Sequence, residues 1–199
     1  MFEKNIKSHL LEQIDGLPLI SVSQKQIDFG KNICVGDVGI SGHNAFRQLQ
    51  IGILEAKTKY ICPAESDMVY PKEFFEFIPP REDIFYLAMP LYVLFNQRKR
   101  MKCFCNKLKG SESSMVVSRD MVLRRMEVMF KGWDMWGPIE DELYLLRRQP
   151  VEFFHINPII TFKTEQNMHQ RTPHDIHSHT REIPYWGNVY DVIKRFNAN

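Results

Sequence analysis

At 199 residues with 44% hydrophobic side chains, the chain can bury one sizeable core and is short for two, so residues 1–199 read as a single domain. Its 26 basic and 24 acidic residues leave a net charge of +2, which selects neither a nucleic-acid nor a membrane partner; a polyanion would have to meet a local patch. Cys34, Cys62, Cys103 and Cys105 follow no disulfide-scaffold spacing, no apolar run reaches about 18 residues, and Glu3, Lys4 and Lys7 stand where a secretory leader would be apolar. These features predict a soluble, cytoplasmic protein that does not engage a membrane.

In chain order, Ile6, Leu10 and Ile14 recur at the spacing of one helix face, which predicts an opening helix. LPLISVS (17–23), after Asp15-Gly16, predicts a strand. A glycine-punctuated loop then ends at Ser41, a helix N-cap, and Phe46, Leu49 and Ile53 give the following helix its apolar stripe. TKYICPA predicts a second buried strand, completing a strand–helix–strand unit that runs into ESDMVYP. Residues 84–95 form a longer extended stretch that Pro90 confines to an edge or a bend. Ser118 caps a helix to about Phe130, residues 132–137 form a loop, and Pro138 opens a second helix with Ile139, Leu143 and Leu146 on its buried face. From Val151 a short apolar strand gives way to a histidine-rich tail. Alternating strands and helices predict an α/β sandwich around a mostly parallel sheet.

The chemistry concentrates on Glu65 and Asp67. In an extended strand, residues i and i+2 share a side, so the two carboxylates would stand together while Ser66 faces away. Two hard oxygen ligands suit Mg²⁺ or Mn²⁺, which take phosphate oxygens of a substrate at their remaining positions. The same triplet also suits a solvated strand-to-turn junction.

The stretch from Gly39 to Pro71, GISGHNAFRQLQIGILEAKTKYICPAESDMVYP, resembles the core of GT-A-fold glycosyltransferases, notably the inverting, family-2-like enzymes. The matching parts are Ser41, Arg47, Gly52-Ile53, Ala56, Tyr60-Ile61 and Glu65-Ser66-Asp67, while ISVSQK and FGKNI are similar to a branch that includes phage-encoded members. The resemblance covers residues 17–80 well and the remainder loosely. It implies a Rossmann-type αβα sandwich with residues 1–80 as the nucleotide- and metal-binding half and 81–199 as the acceptor side. It also implies a nucleotide-sugar donor, a hydroxyl acceptor, Mn²⁺ or Mg²⁺ on Glu65 and Asp67, and nucleotide or diphosphate contacts from Ser41, Arg47, Gln48 and Glu65. GT-A enzymes normally begin with a strand that helps hold the nucleotide; this chain opens on the helix, so the resemblance implies an N-terminally shortened scaffold and leaves a non-catalytic nucleotide-, sugar- or DNA-binding module as the alternative.

By the same resemblance, Glu140-Asp141 matches the family's acidic pair, with Asp141 as the general base that deprotonates the acceptor and Glu140 as its neighbour. Acids in a first helical turn also suit the helix dipole. Trp133 and Trp136 could stack on an acceptor sugar or base, or close the core. His169, in NMH, matches the late histidine that completes many GT-A metal sites, with His174, His177 and His179 close by. Cys103 and Cys105 with His174 and His177 offer a zinc alternative whose spacing fits no familiar template. QRKRMKCFCNKLKG (97–110) reads as a solvated basic loop, or as a contact for DNA phosphates were the acceptor a modified DNA base.

Overall fold

The computed structural model describes residues 1–97, 100–106, 111–137, 145–146, 148–163 and 179–198. The opening apolar stripe forms α1 (Phe2–Ile14), which buries Ile6 and Ile14 and ends at Asp15 in the left-handed region. Strands β1 (Ile20–Ser23) and β2 (Lys31–Cys34) pair in parallel as a two-stranded sheet of their own. Their short connection depends on Gly30: its φ is +59°, and a Cβ there would lie 2.5 Å from the Leu19 carbonyl oxygen. Helix α2 (Gly42–Glu55) follows, with Ile53 buried and Phe46 and Leu49 against the core.

Next come β3 (Tyr60–Ile61), β4 (Met68–Val69), α3 (Lys72–Glu76), β5 (Phe85–Gln97), β6 (Arg100–Asn106), a 3-10 turn (Glu112–Ser114), β7 (Met115–Ser118), α4 (Arg119–Met129), β8 (Val151–Lys163), β9 (Glu182–Ile183), β10 (Gly187–Asn188) and α5 (Val189–Phe196). The main sheet has the order β3-β7-β5-β8-β4, with β6 also paired to β5, while β9 and β10 form a small antiparallel pair. The fold is thus mixed α/β on a curled sheet.

Two expectations are corrected here, and a third is narrowed. The main sheet is mixed rather than mostly parallel: β5 and β8 run parallel, but β3–β7, β7–β5, β4–β8 and β5–β6 are antiparallel. The strand–helix–strand unit does not share a sheet, because among the described residues β1 pairs with β2 alone while β3 is a two-residue edge of the main sheet. Of the edge or bend expected at Pro90, the edge is not found, since β5 is internal, and an irregularity in the strand is. Pro90 sits where the pairing of β5 passes from β7, ending at Leu87, to β6, beginning at Leu91, and opposite a register irregularity in β8, so neither ladder needs its missing N–H. The basic stretch read as a loop contributes β6; the helix expected from Pro138 lies outside the described residues.

Alternation along the strands sends side chains to both faces. Phe85, Leu87, Met115 and Val117 join Ile53, Met121, Val122 and Met126 under α2 and α4, whereas Ala88, Val116 and Ile159 join Met68, Tyr70 and Phe74 beside α3. A third cluster, from Ile6 through Val69, Leu94 and Phe162 to Phe196, places α1 and α5 over the end of the sheet that carries β4 and β8. No helix among the described residues is long and apolar enough to cross a membrane.

Candidate functional site

Glu65 and Asp67 do not lie on an extended strand. The Met68 N–H donates to the Glu65 carbonyl at 3.3 Å, folding Glu65–Met68 into a turn between β3 and β4. The expected i, i+2 geometry is therefore overturned, because the backbone between β3 and β4 is bonded into a turn at both ends, at its start by Tyr70. That ring is fully buried and stacked on Phe74 at 4.9 Å; its hydroxyl accepts the Glu65 N–H at 3.0 Å and donates to the Ser113 carbonyl at 3.0 Å. The start of the turn is thereby tied to the segment ahead of β7. Its end is tied to β8, since the Phe162 N–H donates to the Asp67 carbonyl at 2.8 Å and Met68 pairs with Thr161. The acids thus stand at the start of β4, beside the carboxyl end of β8.

The carboxylates nonetheless feel each other. Glu65 is exposed as a residue, and its pKa is pushed above the ordinary value, first by partial loss of hydration and then by the charge of Asp67. Lys163 and a hydrogen bond from Ser113 oppose that rise, and Glu112 adds to it. Lys163, the last residue of β8, places Nζ 3.1 Å from Asp67 Oδ2, in a pair whose side chains are 25% and 16% exposed. Glu112 accepts the Leu145 N–H at 3.2 Å, and burial raises its pKa too. Among the described residues, no three His, Cys, Asp or Glu side chains come together as a metal cluster. His169, Glu140 and Asp141 lie outside the described residues, as do His174 and His177.

The residues matched to nucleotide binding gather at the start of α2, where they hold a neighbouring loop. Ser41 Oγ accepts the Asn44 N–H at 3.0 Å and donates to the Gly137 carbonyl at 2.8 Å. Asn44, buried, takes the Gly137 N–H at 3.0 Å and donates to the carbonyls of Val38 and Gly39. His43, fully buried against Phe130, donates to the Asp134 and Met135 carbonyls at 3.0 and 3.3 Å. The Arg47 guanidinium lies 3.8 Å from the Phe130 ring centroid and donates to the carbonyls of Trp133 and Asp134 at 3.2 and 3.1 Å and to Gln50. Burial lowers its pKa. Gln48 donates back to the Asn44 carbonyl at 3.2 Å. These side chains clasp residues 133–137 and leave Trp133 and Met135 exposed; Trp136 and Gly137 line a depression with Val38, Gly39, Ile40 and Asn44.

No family model, curated protein or solved structure matches this chain. Two neighbouring carboxylates that repel each other suit a hard divalent cation that needs only one or two protein oxygens, and in that respect the residues fit Mg²⁺ or Mn²⁺. Lys163, Ser113, Tyr70 and Glu112 carried no signal of their own in the sequence. Tyr70 reaches Glu65 from five residues away by a buried hydroxyl, and the others are brought in by long-range pairing and packing, as the Tyr70–Ser113 bond (43 residues apart) and the Asp67–Lys163 pair (96 apart) illustrate.

Proposed function

We propose that this chain is a metal-dependent glycosyltransferase on a GT-A-like scaffold, moving a sugar from a nucleotide diphosphate donor to a hydroxyl acceptor. One observation carries the reading: the Glu65–Met68 turn sets two mutually repelling carboxylates beside the carboxyl end of β8, in a sheet position of the kind where α/β proteins take up ligands. Glu65 and Asp67 would hold Mn²⁺ or Mg²⁺, with His169 a candidate third ligand. When bound, such a cation neutralises charge on the leaving diphosphate. The chain's own residues do the rest. Tyr70 fixes the turn, and the α2 clasp steadies Trp133 and Trp136 for stacking on the acceptor. In this proposal Asp141, with Glu140 beside it, takes the proton of the acceptor hydroxyl. Arg47 serves by positioning the loop, because its guanidinium is engaged there rather than turned to a diphosphate.

That engagement of Arg47 is also what favours the second reading, a non-catalytic binding module. A panel of nucleotide sugars separates the two. With Mn²⁺ present the wild-type chain should release nucleoside diphosphate slowly from one donor, and Asp67→Asn should lower that rate about a hundredfold or more, since a metal contributes several kcal/mol to such charge stabilisation. Donor binding without release across the panel would favour the module, and unchanged release by Asp67→Asn would remove the metal assignment.

A further inference from the structure

On the metal reading just given, Asp67 is a ligand, yet its carboxylate already holds a cation. Lys163 Nζ stands 3.1 Å from Asp67 Oδ2, with the aspartate side chain only 16% exposed. This is not a loose surface pair. Lys163 ends β8, and the preceding residue, Phe162, is hydrogen-bonded through its N–H to the Asp67 carbonyl at 2.8 Å, so sheet register delivers the ammonium to the carboxylate. The same charge reaches Glu65, where it offsets part of the repulsion from Asp67.

We propose that Lys163 is a built-in counter-ion that competes with the divalent metal for Asp67 and gives the carboxylate up when the metal enters. The inference rests on the metal reading. An ammonium and a dication at a single carboxylate repel each other, so Lys163 on Oδ2 weakens the metal's hold on Asp67 and that hold tightens as Lys163 withdraws. Metal uptake by the protein alone is therefore weak. A phosphate-bearing substrate would strengthen it, because phosphate oxygens offer the withdrawn ammonium a new partner at the same place. Lys163 thereby couples occupation of the metal site to the presence of a phosphorylated donor, and the coupling is reciprocal.

The sign of the test is fixed. Removing Lys163 destabilises the metal-free state, which loses its ion pair, and relieves the metal-bound state of a like charge; both raise metal affinity. Calorimetric titration of the full chain with Mn²⁺ alone should show Lys163→Met binding at least about tenfold more tightly than wild type, equivalent to roughly 1.4 kcal/mol. Lys163→Gln should do the same where the apolar side chain disturbs folding, and Lys163→Arg, which keeps the charge, should stay near wild type. Equal or weaker Mn²⁺ binding by Lys163→Met and Lys163→Gln, with wild type still binding, overturns the inference and leaves the metal reading standing. Absence of Mn²⁺ binding in all of these proteins, or undiminished binding by Asp67→Asn, overturns both.

Discussion

Tyr70 shows how much a single hydroxyl can decide. It stands between the two acids' turn and the segment ahead of β7. A buried oxygen there satisfies one donor and one acceptor at once, the Glu65 N–H and the Ser113 carbonyl. Tyr70→Phe keeps the ring stacked on Phe74 but leaves both backbone groups without that partner, which costs about 1–3 kcal/mol of stability. If the hydroxyl also sets the carboxylates for a cation, Mn²⁺ affinity should fall several-fold in a variant that remains folded. Urea denaturation and calorimetry read the two effects separately, and a stability loss with unchanged Mn²⁺ affinity would leave Tyr70 a structural role only.

Helix α2 was legible where its signals are local. Ser41 as cap and Phe46, Leu49 and Ile53 as stripe are written within one helix length, and the helix forms between Ser41 and Glu55 as expected. The purpose of its other side chains was not legible, because the partners of His43, Asn44 and Arg47 lie some 90 residues on in the chain. The same division runs through the sheet. β5 and β8 announce themselves as apolar runs, but their order and direction come from pairing between distant segments, which the pattern within each strand does not encode. Asn44→Ala tests the clasp directly. The Gly137 N–H and the Val38 carbonyl lose their partner, and the loop that begins at exposed Lys131 should open more often. Trypsin should then cleave after Lys131 several-fold faster than in wild type under native conditions. An unchanged cleavage rate would mean that Arg47 and His43 hold the loop without Asn44.

At the scale of the molecule, the two ends of the chain meet over the sheet that carries the acids, and His9 is where they meet. Its ring packs edge-on against Trp186 at 5.5 Å and Phe196 at 5.3 Å, and its Nε2–H donates to the Tyr70 carbonyl at 3.0 Å, so α1, α5 and the residue that fixes the acidic turn share one buried group. Nδ1 is buried and has no partner among the described residues, which makes a second proton unwelcome. Burial accordingly lowers the His9 pKa below its ordinary 6.5, with Arg195 adding to the effect and the Tyr70 carbonyl and Glu12 opposing it. The unfolded chain binds that proton more readily than the folded one. The contribution of His9 to stability is thus intact above pH 6.5 and is lost as pH falls from there through the lowered folded value. His9→Gln retains a donor for the Tyr70 carbonyl and does not titrate, so its stability curve should be flatter than the wild-type curve below pH 6.5, even if it starts from a lower value because the ring contacts are gone. Urea midpoints across that interval give both slopes. Parallel curves for the two proteins would show that His9 takes its proton in the fold as easily as in the unfolded chain, and would place the acid sensitivity of the molecule elsewhere.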